Sequence, residues 1–285
     1  MGKENRGILE MLGSIDYKLI YAVMTILVAL PLVFPIGVPQ AVSPNVINYV
    51  NKLNSLKDGD VVCVTFSGYM TMLPDVEPIY IATWKMLQLK DVKLVLLMSH
   101  VDSPAVIRQE FTKTGFDKVK KEGVDYVIMP YLDLSGDAGM MAFTKSFRSV
   151  FPKDINGTPL DDIPMMKGLD SASQVVLYIN DGPEFATRRW TIPYGTPLVC
   201  WGTATNILPF VPPFYDPVRG PVYGYAGGAS QGAMMEAYLF STTHNTFFAG
   251  EGVKTNDAKN LGVIGLVVLI AIGNISMLGK KKEEK

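Results

Sequence analysis

Five polar residues with chemical potential each stand just past a short apolar run. Ser67 follows "VVCVTF" (61–66), His100 and Asp102 follow "VKLVLLMS" (92–99), Asp133 follows "VDYVIMPYL" (124–132), and Asp181 follows "QVVLYIN" (174–180). Asp75, Glu77, Asp137, Glu184, Asn180, Thr203, Thr205 and Asn206 occupy comparable positions. A histidine two residues from an aspartate can act as a general base oriented by the carboxylate, and several carboxylates can hold a divalent cation through oxygen. A serine beside an acid can serve as a hydroxyl ligand or a nucleophile.

Those positions matter because of the elements that would hold them. The runs are short, almost continuously apolar and rich in valine, isoleucine and leucine, which suits strands buried on both faces of a parallel sheet. "TPLVCWGT" (196–203) is a fifth. Amphipathic stretches at roughly 74–89, 103–121, 136–150, 183–192 and 228–248 alternate with them. The expected fold is therefore α/β, a doubly wound, mostly parallel five-stranded sheet of flavodoxin or Rossmann type. In such a sheet, ligands bind outside the carboxyl ends of the strands, where these residues fall.

A blander cause competes at each of them. Ser103-Pro104, Asp133 to Ser135 and Asp181-Gly182-Pro183 open helical stretches, and helix starts favour Asp and Ser because their oxygens accept from unpaired amides. His244 lies late in the last amphipathic stretch and reads as a solvent or interface residue. No Gly-x-Ser-x-Gly is present, and Ser230 in "GGASQGA" follows the wrong strand for a nucleophile elbow. The first strand leads into "SGYMTMLP", which lacks both the dinucleotide glycine pattern and the lysine-bearing phosphate loop. No cofactor and no metal site is assigned.

The 285 residues are 48% hydrophobic and 19% charged, with a net charge of −1. Basic residues do not interleave with aromatics, so a nucleic-acid partner is set aside. The surplus of apolar residues lies near the ends. "LIYAVMTILVALPLVFPIGVP" (19–39) and "LGVIGLVVLIAIGNISMLG" (261–279) carry no charge and are each long enough to read as membrane spans. Pro31, Pro35 and Pro39 should unwind the end of the first. Of the lysines and arginines flanking the spans, seven lie on the terminal side, at 3, 6, 18, 280, 281, 282 and 285, against four on the domain side, at 52, 57, 254 and 259. That asymmetry places both termini in the cytoplasm and the domain outside the cell membrane. The glycosylation pattern Asn156-Gly157-Thr158 agrees with that side. The expected organisation is a cytoplasmic segment 1–16, spans 17–39 and 261–279, an α/β domain 40–250, a linker 251–260 and a basic tail 280–285. Cys63 and Cys200 lie in two apolar runs and can pair only if those strands are neighbours.

Two segments are not generic. Residues 151–173, "FPKDINGTPLDDIPMMKGLDSAS", lack a period, and a connection of that length is usually functional or an interface. Residues 211–238, "VPPFYDPVRGPVYGYAGGASQGAMMEAY", place Phe214, Tyr215, Tyr223 and Tyr225 among prolines, then open a helical stretch. There Gly228 and Gly232 recur every four residues, as do Ala229, Ala233 and Ala237. Small residues on one helix face permit close packing, and rigid rings favour interfaces. The same rings could instead cover the domain's own core.

Three blocks together resemble a prokaryotic family of membrane-anchored α/β (Rossmann-like) proteins without an assigned activity. They are "VSPNVINYVNKLNSLKDGDVVCVTF" after the first span, "FPKDINGTPLDDIPMMKGL", and "YGTPLVCWGTATNILPFVPPFYDPVRGPVYGYAGGASQGAMMEAY". The resemblance covers roughly residues 20–240. It implies an anchored domain of this architecture and transfers no catalytic residue.

The first functional expectation is a non-enzymatic, membrane-anchored scaffold or assembly subunit. Its partners would be the bilayer and either further copies of itself or other membrane subunits, met through the aromatic loop and the small-residue helix. The alternative is an anchored small-ligand-binding or hydrolytic domain using Ser67, His100, Asp102, Asp133 and Asp181.

Overall fold

The computed structural model describes residues 16–38, 41–68, 70–132, 137–181, 190–205 and 222–280. Helices α1 (Tyr17–Val33) and α2 (Pro44–Asn54) lead into β1 (Val61–Phe66), α3 (Leu73–Gln88), β2 (Lys93–Met98), α4 (Ser103–Thr114), α5 (Phe116–Val119) and β3 (Tyr126–Tyr131). There follow α6 (Asp137–Lys145), α7 (Phe147–Val150), β4 (Leu177–Asp181), α8 (Ile192–Tyr194), β5 (Leu198–Gly202), β6 (Val222–Gly227), α9 (Gly228–Thr243) and α10 (Glu251–Lys280).

The sheet is six-stranded and all parallel, in the order β3-β2-β1-β4-β5-β6. Strand order reverses between β1 and β4. Continuous valine and leucine runs suit this because helices cover both faces, so neither face needs polar residues. One face is packed by α2, α3, α4 and α9 around Phe66, Tyr80, Trp84 and Trp201, with Tyr80 and Trp201 ring centroids 4.7 Å apart. The other buries Cys63, Val95, Tyr178 and Trp190, with Tyr178 stacked on Trp190 at 4.4 Å.

The expected count of five strands is corrected by β6. "VYGYAG" resembles a loop in composition, but its glycines are demanded by packing. A Cβ on Gly224 would stand 2.3 Å from the backbone nitrogen of Tyr49 in α2, so only glycine lets this helix lie against the edge strand.

Residues 151–173 close the second face. Leu160, Ile163, Met166, Leu169 and Ala172 are buried there. Arg148 binds this connection from within, donating to the carbonyls of Met166 (2.6 Å) and Leu169 (2.6 Å) and pairing with Asp161 (2.8 Å) and Asp170 (3.1 Å). Its lack of periodicity reflects a cover held by side chain to backbone bonds. Cys63 and Cys200 are buried free thiols on β1 and β5, with β4 between them. Two strand spacings, roughly 10 Å, exceed the reach of a disulfide.

The expectation of two membrane spans is corrected to one helix of sufficient length. Among the described residues only Gly252–Ile275, within α10, is long and apolar enough to cross a membrane. α1 is apolar but stops at 17 residues, about 25 Å, because Pro31 and Pro35 deny the ladder its donors. Residues 251–260 form the start of α10.

α1 and α10 lie side by side and antiparallel. A Cβ on Gly262 would meet Val28, and one on Gly265 would meet Leu27 and Met24. Two buried carboxylates tie this pair to the domain. Glu236 of α9 accepts from the Gly252 amide at 2.6 Å, at the start of α10. Asp257 accepts from three consecutive amides, Ile36 (2.7 Å), Gly37 (2.8 Å) and Val38 (2.7 Å), as the chain leaves α1. Gly37 takes φ +76° there and abuts the Phe240 ring, so a side chain would meet strain and a clash together.

These contacts fix direction. Gly252 lies against Ala233 and Glu236, whereas Asp257 sits at the level of Phe240, further along α9. The apolar pair therefore leaves beside the far end of α9, at the amino-terminal edge of the sheet. The carboxyl ends of the strands face the opposite way.

Candidate functional site

The register β1–β4 runs Val62↔Leu177, Cys63↔Tyr178, Val64↔Ile179. Carried to the strand ends, it sets Asp181 opposite Phe66, one residue before Ser67, at the point where strand order reverses. Asp181 accepts from the Tyr80 hydroxyl of α3 at 3.1 Å. Ser99, past β2, brings its hydroxyl against the Ser67 hydroxyl and donates to the Phe66 carbonyl at 3.3 Å. Ser103, at the start of α4, donates to the Gly68 carbonyl at 3.1 Å and so fixes the turn after Ser67. Gly68 is required there, since a Cβ would run into the Phe66 ring.

Asp181 keeps some surface, yet its carboxyl is densely enclosed. Burial pushes its pKa up to about 7, with the Tyr80 hydrogen bond holding it lower than burial alone would. Tyr80 is pushed well up in turn, by burial first and then by the Asp181 charge. A carboxyl group titrating near neutrality can exchange a proton with a bound polar ligand.

The remaining sequence candidates divide. His100 and Asp102 stand on the exposed turn past β2 and face each other, Nδ1 to Oδ2 3.8 Å, with the Asp102 amide 3.4 Å from the same nitrogen. Asp133 lies outside the described residues. Asp75 does structural work, accepting from the amides of Ala204 (3.3 Å) and Ala229 (3.2 Å), and so binds the exit of β5 to the start of α9. Gly228 has φ +74° at that junction, where a Cβ would crowd Asp75. Among the described residues, no group of three or more His, Cys, Asp or Glu side chains is arranged to hold a metal ion. Beyond β2 a shallow, largely apolar depression of about 500 Å³ opens beside Val101, Pro104, Tyr131 and Phe151.

Tyr80 and Ser99 are the members that sequence reasoning missed. Tyr80 sits in a helix face of apolar residues, and Ser99 ends a strand, so neither position carries a signal by itself. Only the register between strands brings them to Asp181 and Ser67.

The small residues of α9 meet elements of the same chain. Gly232 faces the backbone of α3, with Ile79 N 2.7 Å from where its Cβ would stand, and Ala233 faces Gly252 of α10. Ala237 is buried, and Gly228 and Ala229 sit at the Asp75 junction. Tyr225 is 4% exposed and takes a hydrogen bond from Asn45, whereas Tyr223 is 50% exposed on the edge strand with Lys52 over its ring at 4.9 Å. Phe214 and Tyr215 lie outside the described residues.

Compared with known family models, with curated proteins and with solved structures, the chain matches none. No relative therefore adds to the resemblance noted from the sequence.

Proposed function

We propose that the protein is a membrane-anchored α/β domain that binds a small water-borne ligand at the carboxyl edge of its sheet. The observation carrying this is that two hydrogen-bonded pairs, Ser67 with Ser99 and Tyr80 with Asp181, lie at the carboxyl ends of β1, β2 and β4, where strand order reverses. Grooves form at that point because neighbouring connections leave on opposite sides of the sheet.

α10 is the anchor in this reading, and α1 enters the bilayer as its shorter partner. The outer surface of the pair supports this, since Leu19, Val23, Ile26 and Leu30 on one helix and Val267 and Ile270 on the other are exposed. Tyr17 and Tyr21 at the far end suit the headgroup layer. In this reading the antiparallel pairing sends Tyr17 and Ile275 toward the same face of the bilayer, and the lysine and arginine bias supports taking that face as cytoplasmic. The ligand edge then looks outward, separated from the amino edge by a six-residue strand, about 20 Å.

Saturation-transfer NMR on the full chain in lipid nanodiscs tests this, using a library of small neutral and cationic polar fragments. Binding should appear in the native protein and disappear in Asp181→Asn. Absence of binders, or binding indifferent to Asp181, overturns it.

Association between copies keeps one observation in its favour. β6 is an edge strand and carries exposed Tyr223. In that reading the copies meet along this edge, because the α9 stripe is occupied within the chain.

A further inference from the structure

Resting on the anchored orientation just proposed, we infer that the amino edge of the sheet is a lipid-contacting face, with Leu89 and Val119 seated in the headgroup layer of the bilayer that holds α1 and α10. The helix pair sets the level of that layer. Past its end, α1 continues through Phe34 and Ile36, both apolar and exposed, to the turn that Asp257 holds beside the Phe240 ring of α9. Lys259 of α10 is exposed two residues past Asp257. Apolar side chains mixed with a lysine suit the boundary between acyl chains and headgroups, where the lysine stem lies along apolar surface and its ammonium reaches water. The end of α9 carries this level to the sheet. Thr242 and Thr243, beyond Phe240 in the direction the pair leaves, line a depression of about 390 Å³ together with Asn54 of α2 and with Leu89 and Lys90 at the end of α3.

Leu89 is 61% exposed where it caps α3, and Val119 is 63% exposed at the end of α5. Lys120 donates to the Lys90 carbonyl and so holds the second connection beside the first. Lys90 donates in turn to the carbonyls of Asn54 (2.9 Å) and Leu56 (3.2 Å). These bonds prepare the edge for lipid. The last carbonyls of a helix have no donor within it, and in a layer poor in water they need one from elsewhere. Charge does not choose the lipid, because lysines stand among carboxylates on both connections, "LKD" (89–91) and "FDKVKKE" (116–122). The contact is therefore made by apolar tips with the headgroup and acyl boundary, and anionic lipid is not required.

Single cysteines are placed in the full chain at four exposed positions: Leu89→Cys, Val119→Cys, Val101→Cys past β2 at the carboxyl edge, and Val267→Cys on α10. Each variant is spin-labelled in lipid nanodiscs and read for collision with oxygen and with a water-soluble nickel chelate. Cys63 and Cys200 are buried and stay unlabelled. Labels at 89 and 119 should lie about 5–10 Å into the headgroup and acyl boundary, in phosphatidylcholine and in phosphatidylglycerol alike, with 267 deeper and 101 in water. A label in water at either 89 or 119, one in lipid at 101, or contact found only in phosphatidylglycerol overturns the inference. Water at 89 and 119 with lipid at 267 sinks this face alone; water at 267 as well sinks the anchor on which it rests. Folding is checked by near-ultraviolet circular dichroism, and Val119→Cys carries the test if Leu89→Cys does not fold.

Discussion

The two edges of the sheet both bury carboxylates, and they treat them oppositely. At the base, Asp257 meets three backbone amides, donors that are fixed in place by the chain itself. At the rim, Asp181 meets the Tyr80 hydroxyl in a setting whose burial pushes its pKa to about 7. Amide donors make a joint, because neither their geometry nor their protonation can change. Hydroxyl donors make a site that exchanges protons and rotates its dipoles. A buried acid is thus structural or responsive according to what donates to it.

The largest expected effect breaks the base. Asp257→Ala takes the acceptor from three part-buried amides, each bond worth about 1 kcal/mol. Denaturant unfolding in detergent should show a loss of several kcal/mol, with faster proteolysis near residues 34–43. If Asp257→Ala unfolds like the native chain, the joint is not what holds the helices to the domain. Next in size is Gly224→Ala, whose Cβ would press the Tyr49 backbone, at a cost of about 1–3 kcal/mol in the same assay.

A third prediction concerns pH. Glu110 is buried on α4 beside Glu77, and burial first, then the Glu77 charge, pushes it up to about 8. Because the folded pKa lies above the unfolded one, near 4.5, the native state holds a proton that the unfolded state releases between those values. Stability should therefore fall as pH rises from about 4.5 to 8, and Glu110→Gln should flatten the Tm profile over that window. An unchanged slope would show that Glu110 ionises freely.

Tyr80→Phe sharpens the rim side. It removes a donor that lowers the Asp181 pKa, so the pH midpoint of the Asp181 carboxyl, followed by carbon-13 NMR, should move up by about one unit or less. The smallest effect belongs to Tyr223→Asp, which should leave folding within about 0.5 kcal/mol. Size-exclusion chromatography of that variant in mild detergent tests the edge-strand association, which fails if the assembly state is unchanged.

How much the sequence disclosed depended on the range of the cause. The buried strands β1 to β5 and the rim position of Ser67 and Asp181 follow from local apolar runs and their ends. β6 did not, since its glycines answer to the Tyr49 backbone of α2, an interaction invisible along the chain. The length of α1 was readable only in part: its composition is that of a span, but Pro31 and the extended residues past Val33 cut the helix short. Tyr80 and Ser99 needed the parallel register to become partners of Asp181 and Ser67. The Ala and Gly stripe of α9 announced close packing, and α3 and α10 supply it.

In the proposed orientation, with the rim facing away from the bilayer, a consequence follows for concentration. Confining a chain to a surface enriches whatever shares that surface, so a site at the bilayer face would feel the local density of lipids and membrane neighbours. A site about a strand length above it, facing away, samples the bulk phase. Its occupancy would follow the dissolved concentration outside the membrane, and crowding more copies into the bilayer would multiply the number of sites without changing how full each one is.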